Sequence, residues 1–239
     1  MNVLNVKQLS KTYPSFKLRE VSFGVERGTI MGFIGRNGAG KTTTLKSILN
    51  IVHADSGNVS YFGMDMKECE SEIKQRIGFA GGAIDYFKKK KIRELIAVTK
   101  LFYDNWDEEL YQKYMDLFSV NEDKTPSELS QGMKVKLNLA IAMSHKAELL
   151  ILDEPTSGLD PVSREELLMI FQHLKSQGVS ILFSTHITSD LDKCADDITY
   201  IRDGQVLYSG NLQEFAKGRK LEDVMLQYEK ETFYEKFDL

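Results

Sequence analysis

Hydrophobic and polar positions change rhythm several times along this chain. Val3 to Leu9 and Val21 to Val25 read as strands. Ile30-Met-Gly-Phe-Ile34 is an unbroken apolar run that leads into a glycine-rich loop and then a helix over about Thr42 to Asn50. Ile77-Gly78-Phe79-Ala80 begins like a buried strand and runs into Gly81 and Gly82. From roughly Ile92 to Lys146 the pattern is mainly helical, with Leu95, Val98, Leu101 and Phe102 recurring at spacings of three and four among good helix formers. Two further short apolar runs, Glu148 to Leu152 and Val179 to Phe183, are of the kind buried on both faces of a parallel sheet. Helical segments separate them. Such alternation predicts an α/β fold with a helical subdomain inserted at about 83–147. No internal repeat or low-complexity linker divides the chain, so one domain is expected over 1–239. The tail, 211–239, is charged and amphipathic, with Phe215, Leu221, Val224, Met225, Tyr228, Phe233, Tyr234 and Phe237. It is expected to pack on its own domain, with a dimer or partner contact as the second reading.

Composition narrows the function classes. A chain of 239 residues can bury a sizeable core. With 42% hydrophobic and 28% charged residues it is globular and not disordered. A formal net charge of −4 argues against nucleic acid as the main partner, because a phosphate backbone rewards a basic surface. Cys69 and Cys194 lack metal-ligand spacing and read as two reduced thiols. The start, MNVLNVKQLSKTY, is polar and alternating, unlike a signal peptide. No window approaches 18 apolar residues, so work at a membrane would need spans from another chain.

Two stretches carry phosphate chemistry. GRNGAGKT, Gly35 to Thr42, fits G-x-x-x-x-G-K-[ST] in full, after an apolar strand and before a helix. Its glycines let successive N–H groups curl around phosphate oxygens, and the helix points its positive end at them. Lys41 can reach the β- and γ-phosphates, and the Thr42 hydroxyl can ligate Mg²⁺. The run Leu149-Leu-Ile-Leu-Asp153-Glu154 ends a buried strand in two carboxylates. Asp153 can reach Mg²⁺, and Glu154 can polarise a water in line with the γ-phosphate. Leu129-Ser-Gln-Gly-Met133 alone looks like a helix start with Ser130 as N-cap. Ser157-Gly-Leu-Asp160 and a lone His186 after the next apolar strand complete the series.

In this order and spacing, the series resembles the ATP-binding cassette (ABC) family from about Val3 to Tyr228. The resemblance implies a P-loop NTPase fold, with a mostly parallel core sheet and an N-terminal antiparallel β subdomain. It makes Gly35, Arg36, Asn37, Gly38, Ala39, Gly40, Lys41, Thr42 and Thr43 the Walker A loop on ATP, with Tyr13 stacking on adenine. Thr42 and Asp153 become the Mg²⁺ ligands. Glu154 becomes the general base, and Lys41 and His186 join it as catalytic groups. Leu129, Ser130, Gln131, Gly132 and Met133 match the signature motif, departing from its usual form at Gln131 and Met133. Ser157, Gly158, Leu159 and Asp160 match the D-loop, with Asp160 facing a second subunit. Two cassettes, as a homodimer or heterodimer, would pair head to tail around two ATP. From the cytoplasmic face of the membrane they would drive a separate transmembrane permease. The branch looks like bacterial exporters of antibiotics, peptides or lipid-linked compounds.

One position departs from the family. Aligning Ile77-Gly78-Phe79 on its Q-loop places Gly82 where a glutamine contacts Mg²⁺ and the attacking water. A water, the nearby Asp85, or a slower site are the alternatives; a working ATPase is favoured because the other catalytic groups are present. Phe87-Lys-Lys-Lys-Lys-Ile-Arg93 follows, where the family receives a short helix of its membrane partner; a solvated basic face is the plainer reading. The competing functions are a soluble cassette, as in iron–sulfur assembly, and a regulatory cassette with weak hydrolysis.

Overall fold

The computed structural model describes residues 1–81 and 89–228. The chain runs β1 (Asn2–Tyr13), β2 (Phe16–Glu26), β3 (Ile30–Ile34), α1 (Lys41–Ile48), β4 (Ser56–Tyr61), β5 (Met64–Asp65), α2 (Glu70–Gln75) and β6 (Ile77–Ala80). Then come α3 (Ile92–Thr99), α4 (Glu108–Leu117), α5 (Gln131–Ser144), β7 (Leu149–Asp153), α6 (Pro161–Ser176), β8 (Ser180–Thr185), α7 (Thr188–Cys194), β9 (Asp197–Arg202), β10 (Gln205–Asn211) and α8 (Leu212–Ala216). Residues 221–228 are helical as well.

β1, β2, β4 and β5 make an antiparallel sheet in the order β2-β1-β4-β5. The second sheet has the order β10-β9-β3-β8-β7-β6, parallel except for the antiparallel edge strand β10. Its central strands explain their own composition. Successive side chains of a strand point to opposite faces. Ile30 and Ile34 of β3, Leu150 and Leu152 of β7, and Ile181 and Phe183 of β8 enter the core beneath the helices. Met31, Phe33, Leu149, Ile151 and Leu182 enter a second core against the antiparallel sheet and α1. A wall between two cores has no wet face, so its strands read as continuous apolar runs.

The hairpin strands are longer than the sequence pattern predicts, reaching Tyr13 and Phe16 through polar, exposed residues that pair as a register couple. The insertion is helical as expected, with α3, α4 and α5 lying between β6 and β7. The stripe of α3 that packs inward is Ile92 and Ile96, however. Val98, Leu101 and Phe102 are 57, 80 and 69% exposed. A helical spacing reports a shared face, not its direction, and here that face turns out. In the tail, Phe215, Leu221 and Val224 are buried in the helical-side core, and Phe215 stacks on Tyr228. Residues 229–239, with Phe233, Tyr234 and Phe237, lie outside the described residues, as do Gly82, Asp85, Phe87 and Lys88. Of the basic stretch, Lys90 pairs with Glu94, and Lys91 and Arg93 share Asp123. Both cysteines are free thiols, and burial pushes Cys194 up to about 12.

One clamp fastens the helical insertion to the end of α2. Gln75 donates to the Phe102 carbonyl and accepts from the Asp104 amide. Tyr103 stacks flat on buried His145 at 3.8 Å, and His145 Nδ1 lies 3.1 Å from the Gln75 carbonyl. Burial pushes the His145 pKa below its ordinary 6.5. Below that pH the unfolded chain binds a proton that the folded imidazole resists. Stability is therefore full above it and falls as pH drops toward the depressed folded value. Thermal denaturation between about pH 8 and about pH 5 should show a steeper loss of Tm in the native chain than in His145→Phe, which carries no titrating group there. Equal slopes would remove His145 from the pH dependence.

Candidate functional site

The carboxyl ends of β3, β7 and β8 open onto one cleft of about 870 Å³. β3 sits where the strand order reverses around it, the position at which open α/β sheets bind ligands. Tyr13, Asn37, Gly38, Gly40, Lys41, Thr42, Thr43, Glu154, Ser157 and His186 all line this cleft. These come from segments up to 173 positions apart (186 − 13), and the sheet brings them together.

The loop from Gly35 to Gly40 is held by close approaches. A Cβ on Gly35 would meet the Ile201 carbonyl oxygen at 2.3 Å. Gly40 has a φ of +111°, and a Cβ there would lie 2.7 Å from the Phe16 ring and from Leu18. Ala39 is buried beneath the loop. No side chain caps α1, and its first turn holds no acid. Its leading N–H groups and positive end therefore point toward the loop unneutralised, an anion site by construction.

Lys41 is 5% exposed. Its Nζ donates to the Gly35 carbonyl at 2.7 Å and the Arg36 carbonyl at 3.3 Å, and pairs with Glu154 Oε1 at 3.1 Å. The other oxygen, Glu154 Oε2, lies 2.7 Å from His186 Nδ1. A carboxylate only accepts, so this contact assigns the proton to Nδ1. Glu154 itself has φ +53°, the left-handed region that a side chain with a Cβ adopts at a cost of about 1–3 kcal/mol. Its amide is held there by Ser184 Oγ at 2.9 Å. Ser184 Oγ in turn donates to Asp153 Oδ1 at 2.6 Å, and Thr42 Oγ1 donates to the same oxygen at 3.2 Å. The kink turns two adjacent acids to different tasks: Asp153 faces the hydroxyl of α1, and Glu154 faces Lys41 and His186.

Thr42 and Asp153 present hard oxygen donors side by side, a set that suits Mg²⁺ when phosphate and water complete the shell. Among the described residues no cluster of three His, Cys, Asp or Glu could hold a metal alone.

The signature residues are elsewhere. None of residues 129–133 lines the cleft. Ser130 caps α5 by accepting from the Met133 amide at 3.2 Å, as its sequence context predicts. Leu129 is buried, and a Cβ on Gly132 would come 3.3 Å from Leu159 of the D-loop. Within the D-loop, Gly158 has φ +73°, and Asp160 caps α6 through the Val162 and Ser163 amides. The Ser163 hydrogen bonds hold the Asp160 carboxyl below the usual carboxylate range. Gly82 lies outside the described residues.

Ser184 and Phe16 are among the residues of the site that were not anticipated. Ser184 is fully buried near the end of β8, and its partners Asp153 and Glu154 lie 31 and 30 residues away in sequence. Phe16 lines the cleft beside Tyr13 across the hairpin turn, where only its register with Tyr13 reveals it.

Comparison with known proteins agrees with this geometry. The profile of the family described as ABC transporter matches residues 18–157. The chain is 30% identical over 217 residues to the ABC transporter ATP-binding protein YtrB of Bacillus subtilis, covering 90% of this chain and 74% of that protein. It is 32% identical over 209 residues to the bacitracin transport ATP-binding protein BcrA of Bacillus licheniformis, covering 86% and 68%. A solved ATP-binding subunit of an ABC transporter superposes with a TM-score of 0.84 at 27% identity, covering 94% of this chain and 98% of that one.

Proposed function

The chain belongs to the ABC transporter family as an ATP-binding subunit with ATPase activity, and from that premise we propose that it pairs with a second cassette around two Mg-ATP and drives a separate transmembrane permease, an exporter. The observation that carries this reading is the convergence of Lys41, Thr42, Asp153, Glu154 and His186 on one cleft edge. The triphosphate enters over the α1 N-terminus, and its γ-phosphate competes with Glu154 for the Lys41 ammonium. Glu154, released from Lys41 but still held by His186, accepts the proton of the attacking water. Thr42 and Asp153 would hold Mg²⁺, which neutralises charge on the phosphate oxygens. Tyr13 supplies the stacking face for adenine, and Asn37, Gly38 and Thr43 border the phosphate path.

Dimerisation is supported by the position of Ser130 and Gly132. They open a helix N-terminus away from this chain's own cleft, so a second copy or a different cassette is needed to close the signature on a nucleotide. Asp160 stands beside that surface, although its carboxylate already caps α6. Docking of a membrane partner is supported by Val98, Leu101 and Phe102, an outward apolar face on the inserted helices. No helix among the described residues is long and apolar enough to cross a membrane, so the spans would come from the partner. Two relatives are named for bacitracin transport, which fits the reading of an antibiotic- or peptide-handling branch; in that reading this subunit acts from the cytoplasmic face.

Glu154→Gln protein loaded with ATP should capture its partner from detergent-solubilised native membranes, read by mass spectrometry. Recovery of a multi-span membrane protein is the expected result. Recovery of soluble partners alone would sink the transporter reading in favour of an assembly ATPase.

A further inference from the structure

The neighbourhood of Tyr13 contains more than the cleft requires. Lys11 precedes Tyr13 by two positions on β1, so both side chains emerge on the same face of the strand. Lys11 Nζ lies 5.7 Å from the centroid of the Tyr13 ring. Tyr13 lines the nucleotide cleft and Lys11 does not, so the cation approaches the ring from outside that cleft. Asp55, just before β4, fixes both. Its Oδ1 takes Lys11 Nζ at 2.9 Å, and its Oδ2 takes the amide of Thr12, the residue before Tyr13, at 2.7 Å. The Asp55 amide closes the link by donating to the Ser10 carbonyl at 2.8 Å.

We propose that Lys11 and Asp55 are positioning residues for the nucleobase: Asp55 anchors the cation and the backbone beside Tyr13, and the cation sets and polarises the ring. The inference rests on the reading of Tyr13 as the adenine platform. A tyrosine 37% exposed at a hairpin tip has several rotamers to choose from. A cation over one face favours one of them. It also draws π density from the ring, so a base stacking on the other face meets less repulsion between π clouds. Neither Lys11 nor Asp55 lines the cleft. The signature of the device is therefore an effect on the base that is absent for phosphate alone. The Lys11 hydrogen bond holds the Asp55 carboxyl below the usual carboxylate range, which favours the ionised acceptor beside the ammonium.

Calorimetric titration of the full chain with ATP and with inorganic tripolyphosphate, each with Mg²⁺, separates the possibilities. Tyr13→Ala is expected to weaken ATP and leave tripolyphosphate unchanged. Lys11→Ala should weaken ATP by about two- to tenfold, leave tripolyphosphate unchanged, and be largely restored in Lys11→Arg. Asp55→Asn, which keeps an acceptor for the Thr12 amide, should move ATP affinity the same way by less. The double variant Lys11→Ala/Tyr13→Ala should bind ATP no more weakly than Tyr13→Ala alone, because the cation acts only through the ring. Lys11→Ala weakening both ligands alike, adding to Tyr13→Ala, or changing nothing would overturn the proposal while the platform survives. An unchanged ATP affinity in Tyr13→Ala would overturn the platform and the proposal together.

Discussion

Replacing Glu154 by glutamine is expected to lower steady-state phosphate release by about 10²- to 10⁴-fold without weakening ATP binding. The substitution preserves size and backbone preference. The strained φ of +53° is imposed by the end of β7 and by the Ser184 hydroxyl on the Glu154 amide, and neither depends on the carboxylate. The amide oxygen of glutamine can still accept from Lys41 or from His186. What it cannot do is take a proton from water. If Glu154 is the base, the loss therefore appears in turnover and not in Kd. His186→Ala should reduce turnover by less, because it removes the holder of the base and leaves the base itself. A Glu154→Gln protein that retains turnover within about tenfold would transfer the base role elsewhere, with His186 the first group to examine.

The placement of much of this candidate site is legible in the sequence, and the reason is physical. β3, β7 and β8 divide two cores, so each announces itself as an apolar run, and each ends in a change of composition where the sheet meets solvent. The glycine loop was legible because its steric demands are absolute: Gly35 against the Ile201 carbonyl and Gly40 at φ +111° leave no room for alternatives. Other features are written in three dimensions only. Nothing local says that Ser184 would link Asp153 to the Glu154 amide, because Ser184 and Asp153 are 31 residues apart. Nothing in the spacing of Val98, Leu101 and Phe102 tells inward from outward; Ile92 and Ile96 are the α3 residues that enter the core. The polar ends of the β1–β2 hairpin hid its length, since exposed strand residues lose the alternation that marks a buried face.

Lys41→Ala is expected to weaken ATP binding by about 10- to 100-fold, the worth of a charge-assisted hydrogen bond to phosphate in a sheltered site. Turnover should fall a further 10²- to 10³-fold, roughly, because the same ammonium would stabilise charge developing on the transferred group. The geometry gives the substitution a second consequence. Lys41 Nζ carries three contacts at 5% exposure, two to carbonyls of its own loop and one to Glu154. Without it, those carbonyls lose a donor and Glu154 keeps only His186. A fall in Tm would therefore accompany the loss of binding, and Tm alone cannot assign the cause. Comparing ATP with ADP can. Damage to the loop would weaken both nucleotides equally, since both rest on the same N–H groups and the same end of α1. Loss of a cation that spans the β- and γ-phosphates would weaken ATP more than ADP. A larger factor for ATP therefore places the Lys41 ammonium between those phosphates, and equal factors would reduce it to a brace for the loop between β3 and α1.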